Sequence, residues 1–362
     1  MKYNILTDLY TEGGHKPNFT IITPGFCNAK CGFCFWNSKD GKIVPPSDYI
    51  QSLIKAFNEI PYSICPALSI SGGEPTISGH LGAILHTIKN SNRKWDRVVL
   101  TTNGSALESW LKDDLKLMEV VTHINISRHH FDDNENQKIF KSKVVPTTPN
   151  IKNIIRNYGN KYQFNINCII NDSTTEAFIQ HMIAYAFVHL EVGSISFRKE
   201  AGDVSPTNVE KIFTKRWGIE SSNDCPVCRT TIQVSKDKQI LWKGSHPEPS
   251  QYLNKLYELV FHPNGKLYAD WSRKIEVDTN MKPTSPDGAF WYEKWANLVK
   301  EFEAHKEIQE TSHKKIIEKL SGIEEVNKKL LGSTKSTTCN YHSGGCGSRP
   351  SSCGGGCGGG CG

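Results

Sequence analysis

Three thiols fall within the eight residues Cys27-Asn28-Ala29-Lys30-Cys31-Gly32-Phe33-Cys34. Three thiolates can carry three irons of a [4Fe–4S] cluster and leave the fourth iron open to an outside ligand. The same residues also suit plainer uses, as buried thiols or as part of a zinc site that would need a fourth ligand from elsewhere. A β-branched run, Phe19-Thr20-Ile21-Ile22-Thr23, ends at Pro24-Gly25 immediately before them, which predicts a strand followed by a thiol-bearing loop.

Other residues able to do chemistry sit where apolar runs stop. Ser71-Gly72-Gly73-Glu74-Pro75 joins two glycines, which let backbone approach a ligand closely, to a carboxylate suited to an ammonium group. Thr102, Asn103, Ser127 and Asn167 offer neutral hydrogen bonds, and Arg198 a guanidinium fit for a carboxylate. Each has a plain structural use as well: a solvated turn, a local backbone cap, a surface strand end.

The elements that must position these groups alternate. Strands are predicted at Phe19–Thr23, Ala67–Ser71, Arg97–Thr101, Val120–Ser127, Phe164–Ile170 and Ser194–Arg198. Between them the periodicity predicts a helix capped by Ser47 and running through Phe57, then helices over 81–88 and 106–117. A further helix opens at Pro149 and ends at Gly159, and another follows a capping box at Ser173–Glu176 and runs to Phe187. Six strands alternating with five helical patterns imply an α/β fold with a parallel sheet and right-handed crossovers. In such folds the loops after the strands gather at one end, and every residue set named above falls there.

From Phe19 to Glu200 the chain resembles the core of the radical S-adenosylmethionine (SAM) superfamily. The resemblance rests on CxxxCxxC at Cys27, Cys31 and Cys34 and on GGEP at Gly72, Gly73, Glu74 and Pro75. It implies a partial (βα)6 TIM-like barrel, a [4Fe–4S] cluster on the three cysteines, and SAM chelating the open iron. It also implies a one-electron reductant of flavodoxin or ferredoxin type, cleavage of SAM to a 5′-deoxyadenosyl radical, and hydrogen abstraction from a substrate. If the ligand is SAM, Gly72, Gly73 and Glu74 face its ammonium group and Arg198 its carboxylate. Thr102, Asn103, Ser127 and Asn167 then serve ribose or carboxylate, and Phe33 stacks on the adenine. The polar stretch Arg128–Asp133 is expected either to reach over the barrel mouth or to be a solvated connection. Adjacent His129 and His130 are given no metal role.

Beyond the core, residues 201–289 read as a C-terminal extension with a second thiol pair, Cys225 and Cys228, and two strands joined at Asn264-Gly265. The positions after that hairpin are Ala269-Asp270-Trp271, so a second cluster would have to borrow ligands. Residues 290–331 read as Lys- and Glu-rich helix. From Gly332 to Gly362 the composition turns to Gly and Ser around Cys339, Cys346, Cys353, Cys357 and Cys361, a segment expected to be disordered. Thiols spaced through glycine resemble a substrate of thioether-forming enzymes. A metal-scavenging tail and an inert extension are the other readings, and residues 1–18 are a short leading segment.

Composition narrows the classes. The opening residues lack the apolar run of a signal peptide and no stretch reaches membrane-span length, so a cytoplasmic protein is expected. Twelve cysteines there are ligands or reactive thiols rather than a disulfide framework. A formal charge of +6 without a dense basic run gives no sign of nucleic-acid binding. The substrate is left as a peptide, the chain's own tail included, or a small nucleotide-like molecule. A non-catalytic cluster carrier is the rival outside enzymes.

Overall fold

The computed structural model describes residues 2–4, 17–34, 43–60, 65–91, 93–200, 212–213, 215–216, 230–243, 258–269, 271, 273 and 276–278. The chain divides into units 1–297 and 298–362, and all described residues lie in the first. Cys225, Cys228, the helical expectation over 290–331 and the Cys/Gly tail all fall outside the described residues.

In chain order the strands are β1 (Lys2–Asn4), β2 (Asn18–Thr23), β3 (Ala67–Gly72), β4 (Arg97–Thr102), β5 (His123–Ser127), β6 (Gln163–Ile170) and β7 (Ser194–Lys199). They continue with β8 (Thr230–Ser235), β9 (Lys238–Lys243), β10 (Glu258–Phe261), β11 (Leu267–Tyr268) and β12 (Glu276–Asp278). The helices are α1 (Pro46–Glu59), α2 (Leu81–Asn90), α3 (Leu107–Asp113), α4 (Leu115–Met118), α5 (Asp133–Phe140), α6 (Thr148–Tyr158) and α7 (Glu176–Ala184).

Strands β2 to β7 lie side by side in sequence order and all pair in parallel, which is the six-strand α/β arrangement the alternation implies. The sheet is open, in the manner of a partial TIM-like barrel. The extension lengthens this same sheet rather than standing apart from it. β10 pairs in parallel with β2, and β9 with β7, so later segments cover both edges of the six-strand core. The expected Asn264-Gly265 turn joins β10 to antiparallel β11, with Gly265 at φ +73°.

The two faces of the sheet differ in chemistry. Phe19, Ile21, Leu68, Ile70, Val98, Leu100, Ile124, Ile126, Ile166, Cys168, Ile195 and Phe197 share one face by register and are buried. Phe19 meets Phe57 of α1 at 5.4 Å, which marks this as the helix-covered side, and crossovers of one hand bring the other helices to it. The opposite face carries Asn18, Thr20, Ser69, Ser71, Thr101, Asn125, Ser127, Asn165, Asn167, Ser196 and Arg198. Several of these bond across strands: Asn18 to Ser69, Asn125 to Thr101, and Ser196 to Asn165.

Boundaries depart from the sequence reading where local hydrogen bonds compete. Ser47 lies inside α1, whose first residue is Pro46, so it is not the cap. The helix expected over 106–117 breaks at Asp114 into α3 and α4. Strand β5 starts at His123 rather than Val120, because the Val121 N–H is still held by the Met118 carbonyl. At α7 the cap is Thr175, which accepts the Phe178 N–H, while Ser173 donates to Asn171. The helix ends at Ala184 and passes into a wider π turn, Tyr185–His189.

In the stretch after β5, Arg128 and His129 are buried, whereas Asp132 is exposed. Arg128 is 1% exposed and donates to the carbonyls of His130, Phe131 and Pro146, while its guanidinium lies 5.2 Å from the centre of the Tyr185 ring. It pairs at 2.5 Å with Asp133, whose Oδ1 also accepts the backbone and hydroxyl of Thr148 at 2.9 Å. One buried cation thus ties the end of β5 to the starts of α5 and α6, and removing it would leave several acceptors without a donor. Burial pushes the Asp133 carboxyl up, but Arg128 and Thr148 outweigh it and hold it below its usual range. A depressed carboxyl contributes stability above the ordinary aspartate value and loses it as pH falls through the folded value. The unfolding midpoint of the wild type is therefore expected to fall below about pH 4 with a component that Asp133→Asn lacks, checked by thermal melts across pH. Arg128→Met should cost about 3–5 kcal/mol in a denaturant titration.

Candidate functional site

The thiol loop leaves β2 through Pro24, whose carbonyl accepts the Ser78 hydroxyl at 2.6 Å, and Gly25 at φ +122°. Cys27 and Cys31 are half-buried and Cys34 is exposed. The Cys34 N–H donates to the Cys31 carbonyl at 3.3 Å, which closes a tight turn around Gly32 and Phe33. Farther back, the Lys30 N–H donates to the carbonyl of Phe140 in α5 at 2.8 Å, and the Ala29 N–H points at Cys27 Sγ at 3.4 Å. Burial raises the Cys27 thiol, helped by the charges of Glu74 and Cys34. Burial and the neighbouring Cys34 and Cys27 push Cys31 up to about 12. Three thiolates this close repel one another, and a bound cation or cluster is what relieves that cost.

The turn after β3 is built against this loop. The Glu74 N–H donates to the Phe26 carbonyl at 3.4 Å, and a Cβ on Gly73 would stand 2.9 Å from that same oxygen. Gly72 has φ +133°, and a Cβ there would meet Thr23 Oγ1 at 2.8 Å. Both glycines are therefore required by the approach of β3 to the thiol loop.

Glu74 is 2% exposed, and its carboxylate is directed into the protein. Oε1 accepts the N–H and hydroxyl of Thr76 at 3.0 and 2.6 Å and the Thr102 hydroxyl at 2.5 Å, while Oε2 accepts the Asn103 N–H at 2.6 Å. Burial raises this carboxyl, against the pull of those four bonds. Asn103 in turn donates to Asn28, which donates to Ser105, so the network returns to the thiol loop. Glu74, Thr102 and Asn103, expected to face a ligand, here bond one another and neighbouring backbone. Thr102 shares the helix-facing side with Ile126, and the three residues clamp β3, β4 and the thiol loop together.

Ser127, Asn167 and Arg198 stand together on the opposite, polar face: Ser127 is level with Asn167, Asn167 with Ser196, and Arg198 is two residues beyond Ser196. Arg198 Nε is buried and has no hydrogen-bond partner among the described residues. Phe33 meets the His129 ring edge-on at 4.7 Å. Sequence reasoning missed Asn125, Asn165 and Ser196, which share the polar face. Their signal was present as polar residues at alternate positions of otherwise apolar strands.

Residues 21–182 match the family model described as the Radical SAM superfamily. This segment is a radical SAM domain. The S-adenosylmethionine-dependent nucleotide dehydratase RSAD2 of Oncorhynchus mykiss is 28% identical over 151 residues, covering 40% of this chain and 41% of that protein. A probable GTP 3′,8-cyclase of Methanococcus vannielii is 37% identical over 95 residues, 25% of this chain and 30% of that one. The chain thus spans about two fifths of the length of the first of these relatives. The crystal structure of Streptococcus suis SuiB bound to S-adenosylmethionine superposes with a TM-score of 0.50 at 15% identity, over 77% of this chain and 66% of that one, which shows a shared fold.

Radical SAM proteins hold a [4Fe–4S] cluster and SAM. Among the described residues no three Cys, His, Asp or Glu side chains converge as a single bound metal ion would require. Three thiols on one loop are the donor set that a [4Fe–4S] cluster takes, with its fourth iron left to another ligand. Beside that loop the radical SAM domain presents the bare backbone of Gly72 and Gly73. Gly73→Ala is expected to retain the fold but to lower iron bound after anaerobic reconstitution several-fold, because the Phe26 carbonyl must shift. Glu74→Gln puts an amide donor against a donor and should cost about 1–3 kcal/mol in urea unfolding.

Proposed function

We propose that the chain is a radical SAM enzyme in which Cys27, Cys31 and Cys34 ligate a [4Fe–4S] cluster. The observation that carries this is the thiol loop itself, closed by a backbone turn and locked to the GGEP turn through Phe26, Gly73 and Glu74. When bound, the reduced cluster supplies one electron that splits SAM into methionine and a 5′-deoxyadenosyl radical, which takes a hydrogen atom from substrate. The electron comes from a one-electron carrier of the flavodoxin or ferredoxin kind. Gly72 and Gly73 admit the methionine end of SAM to their backbone, Arg198 holds its carboxylate, and Ser127 and Asn167 hold neutral polar groups. Phe33 borders the adenine. Glu74, Thr102 and Asn103 fix the walls of this site rather than touching the ligand.

Two substrate readings have specific support. Five cysteines spaced through Gly and Ser after residue 332 support peptide modification of the chain's own tail by thioether formation. Each crosslink removes two hydrogens. One goes as an atom to 5′-deoxyadenosine, and the thiol's leaves as a proton with its electron returned to the centre that supplied the first. The polar face of β3 to β7, with sequence relatives named as a nucleotide dehydratase and a GTP cyclase, supports a small nucleotide-like substrate. Reconstituted protein with SAM and dithionite is expected to release 5′-deoxyadenosine, measured by liquid chromatography. Cys31→Ala should abolish release, and a wild type that carries cluster yet releases none would sink the enzyme reading. Intact mass after turnover separates the substrates: a loss of two hydrogens per crosslink in the tail supports self-modification. An unchanged tail, with activity kept on truncation after Gly332, supports the small molecule.

A further inference from the structure

His129 is buried directly after β5, and the proposed chemistry leaves it without a task. Its Nδ1 accepts the Ile169 N–H of β6 at 3.1 Å, which fixes the ring plane and places the ring proton on Nε2. Burial, with the charge of Arg128, pushes its pKa down to about 3, so the imidazole is neutral. One face of the ring stacks on Phe140 at 4.8 Å and 27°, and Phe33 of the thiol loop stands against it at 4.7 Å and 81°. The carbonyl of that same Phe140 receives the Lys30 N–H. The distal half of the loop thus rests on a two-ring stack, through one backbone bond and one ring contact.

We propose that His129 is a positioning residue for the thiol loop: its ring, held by β6 and Phe140, sets Phe33 and through it the side from which SAM reaches the cluster. Without the ring, Phe33 loses its edge contact. Cluster ligation depends on the thiols, whereas SAM approach depends on Phe33, so the two effects separate. The inference rests on the cluster reading above, and the wild type therefore serves as the control for that reading.

The test uses the full chain, anaerobically reconstituted, as wild type, His129→Ala, His129→Phe, Phe33→Ala and the His129→Ala/Phe33→Ala double variant. The readouts are iron per chain and the SAM concentration that half-saturates the SAM-induced change in the electron paramagnetic resonance spectrum of the reduced cluster. His129→Ala is expected to keep its circular dichroism and iron content while SAM affinity weakens about tenfold, and Phe33→Ala to do the same. The double variant should be no weaker than either single one, since both remove one contact. His129→Phe keeps a ring but loses the acceptor for Ile169, so it should recover SAM affinity to within about twofold while unfolding at a lower temperature. Wild-type affinity in His129→Ala or Phe33→Ala, additive losses in the double variant, or a His129→Phe as weak as His129→Ala would each overturn the proposal. If His129→Ala does not fold, Phe33→Ala and His129→Phe decide by the same criteria. A wild type with no cluster spectrum overturns the cluster reading and this inference together, whereas a wild type that responds to SAM beside an unaffected variant overturns this inference alone.

Discussion

A buried carboxylate with all its hydrogen bonds made inside the protein holds this site together. Glu74 draws Thr76, Thr102 and Asn103 to one point, and its own N–H holds Phe26 at the entrance to the thiol loop. Desolvating a carboxylate is costly, and four donors are what make its burial tolerable. The consequence is geometric: the end of β3, the end of β4 and the first thiol become one rigid unit. Gly72 and Gly73 follow from the same constraint, since side chains there would push β2 and Phe26 away.

The six parallel strands were legible because each alternates or runs apolar between turn residues, and short connections leave few ways to order them. The thiol spacing and the GGEP turn were legible as chemistry. The duty of Glu74 was not, because its partners Thr102 and Asn103 lie about thirty residues away on the next strand, and only the register brings them together. The same holds after β5. Arg128 and His129 read either as reaching over the barrel mouth or as part of a solvated connection, yet one satisfies a ring of carbonyls and the other lies between aromatic rings. Whether a polar residue is buried depends on how many partners tertiary structure supplies, which periodicity does not report. The edge strands were hidden for a related reason: β10 and β11 were legible only as a local hairpin and β8 and β9 not at all, whereas the parallel pairing of β10 to β2 and of β9 to β7 is long-range.

The two faces of the sheet divide the work. The apolar face, sealed under helices, supplies the burial that holds the strand ends in register. The polar face carries amides and hydroxyls that bond one another across strands, and Arg198 Nε is left unpaired among the described residues. A face so built is wasteful unless something polar meets it. That sets the thiol loop at one end of the sheet beside a surface suited to a hydrogen-bonding ligand.

The central claim is that three thiols of one loop hold a four-iron cluster with one iron left for SAM. Mössbauer spectroscopy of the ⁵⁷Fe-reconstituted chain, recorded with and without SAM, tests it most directly. The account predicts a [4Fe–4S] spectrum in which about one iron in four shifts when SAM is added, because three thiolates leave one iron open. Four equivalent irons indifferent to SAM, or iron bound only as isolated ions, would contradict it.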